Sequence, residues 1–132
     1  MNIWLMKTEP SEYSFDNLLR DGNVVWDGIR NYQARNYLKK MKKGDLVLIY
    51  HSGSEKQIVG IGKVVKEHYP DPKDKTNTWV IVDIAPVKKL TKPFTLKQIK
   101  KEKALSKMPL LRQSRLSVMP VTKEEYEFIV SF

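Results

Sequence analysis

Apolar residues in this chain recur in short runs that are typical of β-strands. The strongest run, Leu46–Tyr50, is unbroken and predicts a strand over residues 45–51 that is buried on both faces. Residues 78–90 instead alternate, with Trp79, Ile81 and Asp83 on one face of a predicted strand. The other predicted extended segments are 3–6, 24–26, 57–66 and 116–121.

Polar residues at four positions predict the starts of short helices. Ser14 precedes one helix that Gly22 closes, and residues 31–43 form a second that Gly44 stops. Thr95 with Gln98, and Thr122 with Glu125, are capping boxes: the hydroxyl and the residue three places later satisfy each other's backbone N–H groups.

The predicted strands outnumber the helices and follow one another too closely for regular βαβ units. We therefore expect an α+β fold: a mostly antiparallel, strongly curved sheet or small β-barrel, flanked by short helices. Gly60 and Gly62 inside one strand predict a bend, a bulge or a close backbone approach. With 132 residues, 41% of them hydrophobic, we expect one domain over residues 1–132.

Composition narrows the possible functions. No apolar run approaches the roughly 18 residues that a membrane span needs. The first residues lack the pattern of a signal peptide, and there are no cysteines for disulfides or thiolate metal sites. With two histidines, metal ligation is poorly supported, and we expect neither metal nor cofactor. We expect a cytoplasmic protein, associated with the nucleoid if it is bacterial.

The net charge of +9 predicts attraction to polyanions, although a solubilising lysine-rich surface is an alternative. Lysines cluster at 39–43 and 88–107, whereas four of the five arginines lie in the segments richest in polar motif residues. These four are Arg30, Arg35, Arg112 and Arg115. Because a guanidinium binds phosphate as a rigid fork, we predict them as phosphate contacts.

The segment Trp26–Asn36 concentrates an indole, a phenol, a carboxylate, guanidiniums and amides. Such groups suit a flat, polar, aromatic ligand beside a phosphate, which describes a nucleotide. Asp27 and Asn31 can hydrogen-bond to the edge of a base. Alternatively, Asp27 makes a turn and Asn31 caps the second helix, and a helix N-terminus is itself a phosphate site.

Trp26 and Trp79 are candidate walls of a pocket, because each lies at a predicted strand end. Two indoles can sandwich a base, although burial in the core is the alternative for each. Trp4 lies inside the first strand and is expected to be core.

Three further segments carry candidate site residues. Lys7, Thr8 and Glu9 end the first strand, and they line a pocket or form a solvated loop. Tyr50, His51 and Ser52 end the most hydrophobic strand, where they line a pocket mouth, end the strand without function, or supply a base and a nucleophile. The segment 112–117 has the composition of a phosphate-contacting loop.

These motifs together resemble the EVE domain family in order and spacing over nearly the whole chain. The segments that carry the resemblance are 4–10, 26–36, 45–52, 58–60, 69–72 and 115–121. The resemblance implies a PUA-like fold related to the YTH readers of methylated adenine in RNA. It implies Trp26 and Trp79 as cage walls, with Lys7, Thr8, Glu9, Asp27 and Asn31 on the floor and rim.

We therefore expect a non-catalytic module that recognises a modified base in DNA or RNA. The base would be flipped out or single-stranded, since flipping costs a few kcal/mol. Two alternatives stay open. One is a small hydrolase acting at the barrel mouth through His51, Glu9 or Lys7, and the other is a pocket for a free nucleoside or metabolite.

Overall fold

A computed structural model describes residues 1–132 as one mixed sheet with short helices around it. The strands are β1 (Ile3–Thr8), β2 (Val24–Trp26), β3 (Leu46–His51), β4 (Gln57–Pro70), β5 (Val80–Thr95) and β6 (Val118–Val121). The helices are α1 (Phe15–Asp21), α2 (Tyr32–Lys40), α3 (Leu96–Lys101) and α4 (Lys123–Val130), with two short 3₁₀ turns at Lys103–Leu105 and Pro109–Leu111.

The sheet has the strand order β2-β5-β4-β3-β1-β6. Only β1 and β3 pair in parallel, and every other neighbouring pair is antiparallel. The expected α+β fold with a mostly antiparallel sheet is confirmed, and of the two expected forms the open sheet is observed, with β2 and β6 at its edges. The 32 buried apolar residues of the core form one continuous cluster.

The polar helix starts are observed as expected. Ser14, Thr95 and Thr122 each form a complete capping box, and the Asn31 side chain accepts a hydrogen bond from the backbone N–H of Ala34. The second helix ends at Lys40, not at Lys43, because Met41 is fully buried and takes an extended conformation. Gly44, with φ of 94°, makes the following turn instead of ending the helix.

Two neighbouring strands, β4 and β5, are longer than expected. β4 continues to Pro70 and β5 to Thr95, because the two strands pair with each other as one long hairpin despite their polar ends. The register between them shifts four times, including once beside each of Gly60 and Gly62. The expectation of a bend, a bulge or a close backbone approach at these two glycines is therefore confirmed, with a register shift beside each of them.

Gly60 also allows α1 to approach the sheet. A Cβ placed on Gly60 would lie 2.5 Å from Cε1 and Cζ of Phe15, whose ring is almost completely buried. Phe15 is the first residue of α1, so this contact sets where the helix begins.

Trp4 is buried, as expected, and its Nε1 donates to Oδ2 of the buried Asp45 at 3.0 Å. The Asp45 carboxylate also accepts from the backbone N–H groups of Asn2 and Lys42, which holds the β1 start against the β3 start. No helix is long and apolar enough to cross a membrane.

Gly60→Ala should destabilise the fold by about 1–3 kcal/mol, because the new methyl group overlaps the Phe15 ring and overpacks the core. Urea unfolding measures the change. Gly62→Ala is the matched comparison, because its Cβ would be 3.1 Å from its nearest neighbours and should cost less. Equal stability of Gly60→Ala and the unmodified protein would contradict the close packing.

Candidate functional site

A cavity of about 590 Å³ opens where β1 ends and β2 turns toward α2. Five of the residues singled out in the sequence line it: Lys7, Thr8, Glu9, Trp26 and Asp27. Glu12 and Tyr13 also line it, and the sequence motifs did not single out these two as ligand contacts. Ser117, which ends the predicted phosphate-contacting segment 112–117, lines it as well. Two distant segments therefore meet at one cavity, as the pocket hypothesis requires.

The aromatic partner of Trp26 in this cavity is Tyr13. The two rings meet edge to face, with centroids 6.3 Å apart and an interplanar angle of 89°. Trp26 is 8% exposed, so its indole belongs to the core as well as to the cavity wall. Tyr13 directly precedes the Ser14 cap of α1. A hydrophobic residue at that position is typical of packing against the helix, so the sequence did not indicate its role in the cavity.

The Tyr13 hydroxyl donates to Asp21 Oδ2 at 2.9 Å. Loss of solvent and the adjacent Asp21 carboxylate both disfavour the phenolate, and they raise the pKa of Tyr13 to about 12. Tyr13 therefore remains a neutral aromatic wall throughout the physiological pH range.

The polar residues of the cavity differ in how many hydrogen-bonding groups remain free. Lys7 Nζ donates to the carbonyl of Ser114 at 2.9 Å, and burial lowers the pKa of this ammonium. Thr8 Oγ1 donates to the carbonyl of Tyr13 at 2.7 Å. The exposed Asp27 has only Lys73 near it, with Nζ 3.8 Å from Oδ2, so its carboxylate can accept from a ligand.

His51 lies outside this cavity and holds α1 in place. Its Nε2 accepts the backbone N–H of Phe15 at 3.0 Å, so the proton is on Nδ1, which donates to Glu55 Oε1 at 2.9 Å. That hydrogen bond lowers the pKa of the Glu55 carboxyl. Both ring nitrogens are occupied, so His51 has no free nitrogen with which to act as a base.

Tyr50 and Ser52, the neighbours of His51, also lie outside the cavity. Tyr50 is buried, with Lys7 Nζ 5.8 Å from its ring centre, and burial raises its pKa. The Ser52 N–H donates to the carbonyl of Thr8. The three residues thus join β3 to β1 and α1, and the expectation that they line the cavity mouth is not met.

Trp79 does not line this cavity. Its ring is half-buried, and the centre of the ring lies 5.0 Å from the centre of the Tyr32 ring. The Arg30 guanidinium carbon lies 5.8 Å from the centre of the Trp79 ring. The expectation that Trp26 and Trp79 face each other across one cavity is therefore not met, because the loop before β5 directs Trp79 toward α2.

Two aspartates order that loop. The Asp74 carboxylate accepts from the backbone N–H groups of Thr76, Thr78 and Trp79 and from the Thr76 hydroxyl, which strongly lowers its pKa. Asp71 is buried, and the pKa of its carboxyl is lowered by the Lys73 N–H and by Arg30.

The four arginines fall into two groups. Arg30 pairs with Asp71 at 2.9 Å, and Arg35 donates to Asn36 and to the carbonyl of Thr78. Arg112 and Arg115 are exposed, and neither guanidinium has a hydrogen-bond or ion-pair partner within the protein, although the Arg112 backbone N–H donates to the carbonyl of Pro109. The first pair organises the protein surface, whereas the second pair is free to bind an anion.

Arg112 and Arg115 lie with Asn31 around a shallow depression of about 320 Å³ at the start of α2. Asn31 caps the helix here, which is the alternative considered for it in the sequence. Ser114 of the same loop accepts from Lys7, so the 112–117 loop connects this depression to the cavity.

The largest depression, about 770 Å³, lies elsewhere, at the β1 start and beside Pro120 and Tyr126. None of the predicted ligand-binding or phosphate-binding residues lines it. The chemistry of the smaller cavity therefore outweighs the greater size of this depression in locating the candidate site.

The tyrosines provide a pH test of this geometry. The Tyr69 hydroxyl donates to Asp83 Oδ1 at 2.6 Å, as the Tyr13 hydroxyl does to Asp21. Burial and these carboxylates raise the pKa of Tyr13 and Tyr69 to about 12, above their ordinary value of 10.0. Because the folded state keeps these protons longer, their stabilising contribution is complete below pH 10 and is lost as pH rises through 12.

Absorbance titration should therefore show late formation of tyrosinate at these two positions. Tyr13→Phe and Tyr69→Phe should each remove one late step. Ionisation of all six tyrosines in one step near pH 10 would contradict the hydrogen bonds described for these rings.

This chain is similar to a known protein family and to several solved structures. The model of the EVE domain family matches residues 2–132. Mouse thymocyte nuclear protein 1 is 36% identical over 164 residues, which cover 98% of this chain and 73% of the mouse protein. A crystal structure of a protein from Agrobacterium tumefaciens is 40% identical, with a TM-score of 0.94, and the match covers 99% of this chain and 92% of that one.

A crystal structure of human THYN1 in complex with DNA containing 5-methylcytosine is 33% identical, with a TM-score of 0.91. The match covers 99% of this chain and 96% of the human chain. The sequence motifs, the fold and these comparisons agree, and the chain belongs to the EVE domain family.

Proposed function

We propose that this EVE domain binds nucleic acid and reads a modified base that is flipped out or unpaired, without catalysing a reaction on it. The observation that carries the proposal is the cavity where Trp26 and Tyr13 meet Lys7 and Asp27. The human THYN1 structure with 5-methylcytosine DNA supports the same ligand class for this chain.

The cavity has a size and lining that suit a base. Its volume of about 590 Å³ lies within the roughly 300–1,000 Å³ typical of small-ligand sites. A base stacked on the indole of Trp26 would meet Tyr13 as a perpendicular wall, since the two rings are almost at right angles. Stacking on one aromatic ring contributes roughly 1–3 kcal/mol.

The polar groups of the cavity read the edge of the base. The Asp27 carboxylate accepts from an exocyclic amine, and the Lys7 ammonium donates to a ring carbonyl. Lys7 has a lowered pKa because it is partly buried, so its charge acts in a site with little water. Thr8 and Glu9 complete the floor and rim.

Arg112 and Arg115 hold the phosphate next to the bound base. Their unpaired guanidiniums lie at the N-terminus of α2, where the backbone N–H groups of Tyr32 and Gln33 have no partner within the protein. Free N–H groups at a helix start bind anions. Arg30 and Arg35 act indirectly, through the surface that they organise.

The two alternatives predict different behaviour. In the hydrolase alternative, His51 cannot act as the base, because both of its ring nitrogens are engaged in hydrogen bonds. Acid or base catalysis would then depend on Glu9 or Lys7 alone. The free-nucleoside alternative predicts binding that is insensitive to salt and gains nothing from flanking phosphates.

Binding of DNA that contains 5-methylcytosine should exceed binding of the same DNA with cytosine, and Trp26→Ala should remove that preference. The affinity of Trp26→Ala for the DNA that contains 5-methylcytosine should fall by about 10- to 100-fold, because the stacking of one base is lost. Fluorescence anisotropy measures both affinities. Trp26→Phe keeps a ring in the core and should retain part of the preference.

Asp27→Ala tests the same cavity at an exposed position that the core does not need, and it should weaken the preference. Asp16→Ala, another exposed carboxylate paired with a lysine, is the matched control and should not. Equal affinity of the unmodified protein and folded Trp26 and Asp27 variants for both DNAs would overturn the proposed pocket.

Replacement of Arg112 and Arg115 together by alanine should reduce the salt dependence of DNA binding. The slope of log K against log salt should become less steep by about 0.9 for each lost phosphate contact in duplex DNA. Lys39→Ala/Lys40→Ala removes the same number of positive charges from the last turn of α2, at its opposite end, and should leave the slope nearly unchanged. Equal slopes in both double variants would contradict the placement of the phosphate.

A further inference from the structure

An aromatic pair, the exposed Tyr32 and the half-buried Trp79, lies outside the cavity, on the surface that joins α2 to the loop before β5. The Tyr32 and Trp79 ring centres are 5.0 Å apart, at an angle of 41°. The Arg35 guanidinium carbon is 5.0 Å from the Tyr32 ring centre, and the Arg30 carbon is 5.8 Å from that of Trp79. The four side chains form one row of successive contacts, in the order Arg35, Tyr32, Trp79 and Arg30, with a cation at each end of the aromatic pair.

The exposure of this row exceeds what the core requires. Tyr32 is 61% exposed, although it is the first residue of α2, where a polar residue would serve equally well. A large, exposed aromatic side chain beside arginines is a common means of holding a nucleobase by stacking and cation–π attraction.

The row is also held rigidly before any ligand arrives. Asp74 accepts the backbone N–H of Trp79 at 2.8 Å, and the buried Asp71 fixes Arg30 at 2.9 Å. Arg35 donates to the carbonyl of Thr78 at 3.3 Å, which ties α2 to the same loop. A platform ordered in advance loses little conformational freedom when a base stacks on it.

The position of the row connects it to both parts of the proposed site. Arg30 donates to the carbonyl of Ile29, which lines the cavity. Asn31 and Gln33, the chain neighbours of Tyr32, line the depression of Arg112 and Arg115. A strand with one base in the cavity and its phosphate at the start of α2 would therefore pass beside Tyr32.

We propose that Tyr32 and Trp79 form a second stacking site, which takes the base next to the one held in the cavity. This inference rests on the proposed function, and it assigns the aromatic pair to the neighbouring nucleotide of the same strand. Trp79 thus contacts nucleic acid from outside the cavity, with Tyr32 as its partner.

Single-stranded DNA with one 5-methylcytosine, and with 2-aminopurine placed on its 5′ or 3′ side, tests the second site. Stacking quenches 2-aminopurine emission, so binding of the unmodified protein should quench the probe at one of the two positions. Tyr32→Leu should abolish the quenching and weaken binding about 5- to 100-fold, the loss expected for one stacked base. Tyr32→Phe keeps the ring and should behave like the unmodified protein.

Phe132→Leu is the matched control, because Phe132 is similarly exposed, at 65%, and lies in a separate aromatic cluster with Phe94 and Phe128. It should change neither quenching nor affinity. If the unmodified protein binds and Trp26→Ala weakens binding, but Tyr32→Leu changes neither signal, the second stacking site is wrong and the proposed function stands. If the unmodified protein binds none of these DNAs, both proposals fail.

Discussion

The candidate site depends on how the start of α1 packs against the sheet. Gly60 leaves room for the Phe15 ring, and His51 accepts the Phe15 N–H at the same helix start. Together they fix the first residue of α1 from two strands at once. Tyr13 lies two residues earlier, so the same contacts place its ring against Trp26 and give the cavity its second aromatic wall. A substitution that disturbs the packing of Phe15 should therefore alter the site without changing a residue that contacts the ligand.

The charged residues of this protein divide into those that build the surface and those left free to bind. Asp71, Asp74 and His51 have their hydrogen-bonding groups satisfied within the protein, and they order the loop before β5 and the start of α1. Asp27 and the pair Arg112 and Arg115 have free groups that point to ligand contacts. A polar residue in a motif is therefore a weak guide to binding until its partners are known.

The local features were predictable from the sequence, because neighbouring residues determine them. The capping boxes at Thr95 and Thr122 are of this kind. Gly60 and Gly62 indicated a bend, a bulge or a close backbone approach without deciding among them, because the register shifts beside them depend on the pairing of β4 with β5. The meeting of Lys7–Glu9 with Trp26–Asp27 was predictable through the family resemblance.

The direction in which Trp79 points was not predictable, because it depends on how Asp74 folds a loop whose hydrogen bonds are invisible in a pattern of polar residues. Tyr13 was missed for a similar reason, since only the packing of α1 brings it to Trp26.

The three tryptophans offer the most direct test of the central claim, that a base enters the cavity at Trp26. Their indole N–H groups give separate signals in a proton–nitrogen NMR spectrum, to be followed as DNA containing 5-methylcytosine is added. The Trp26 signal should shift, while that of Trp4, bound to Asp45 in the core, should stay in place. Saturable binding that leaves the Trp26 signal unmoved would contradict the account.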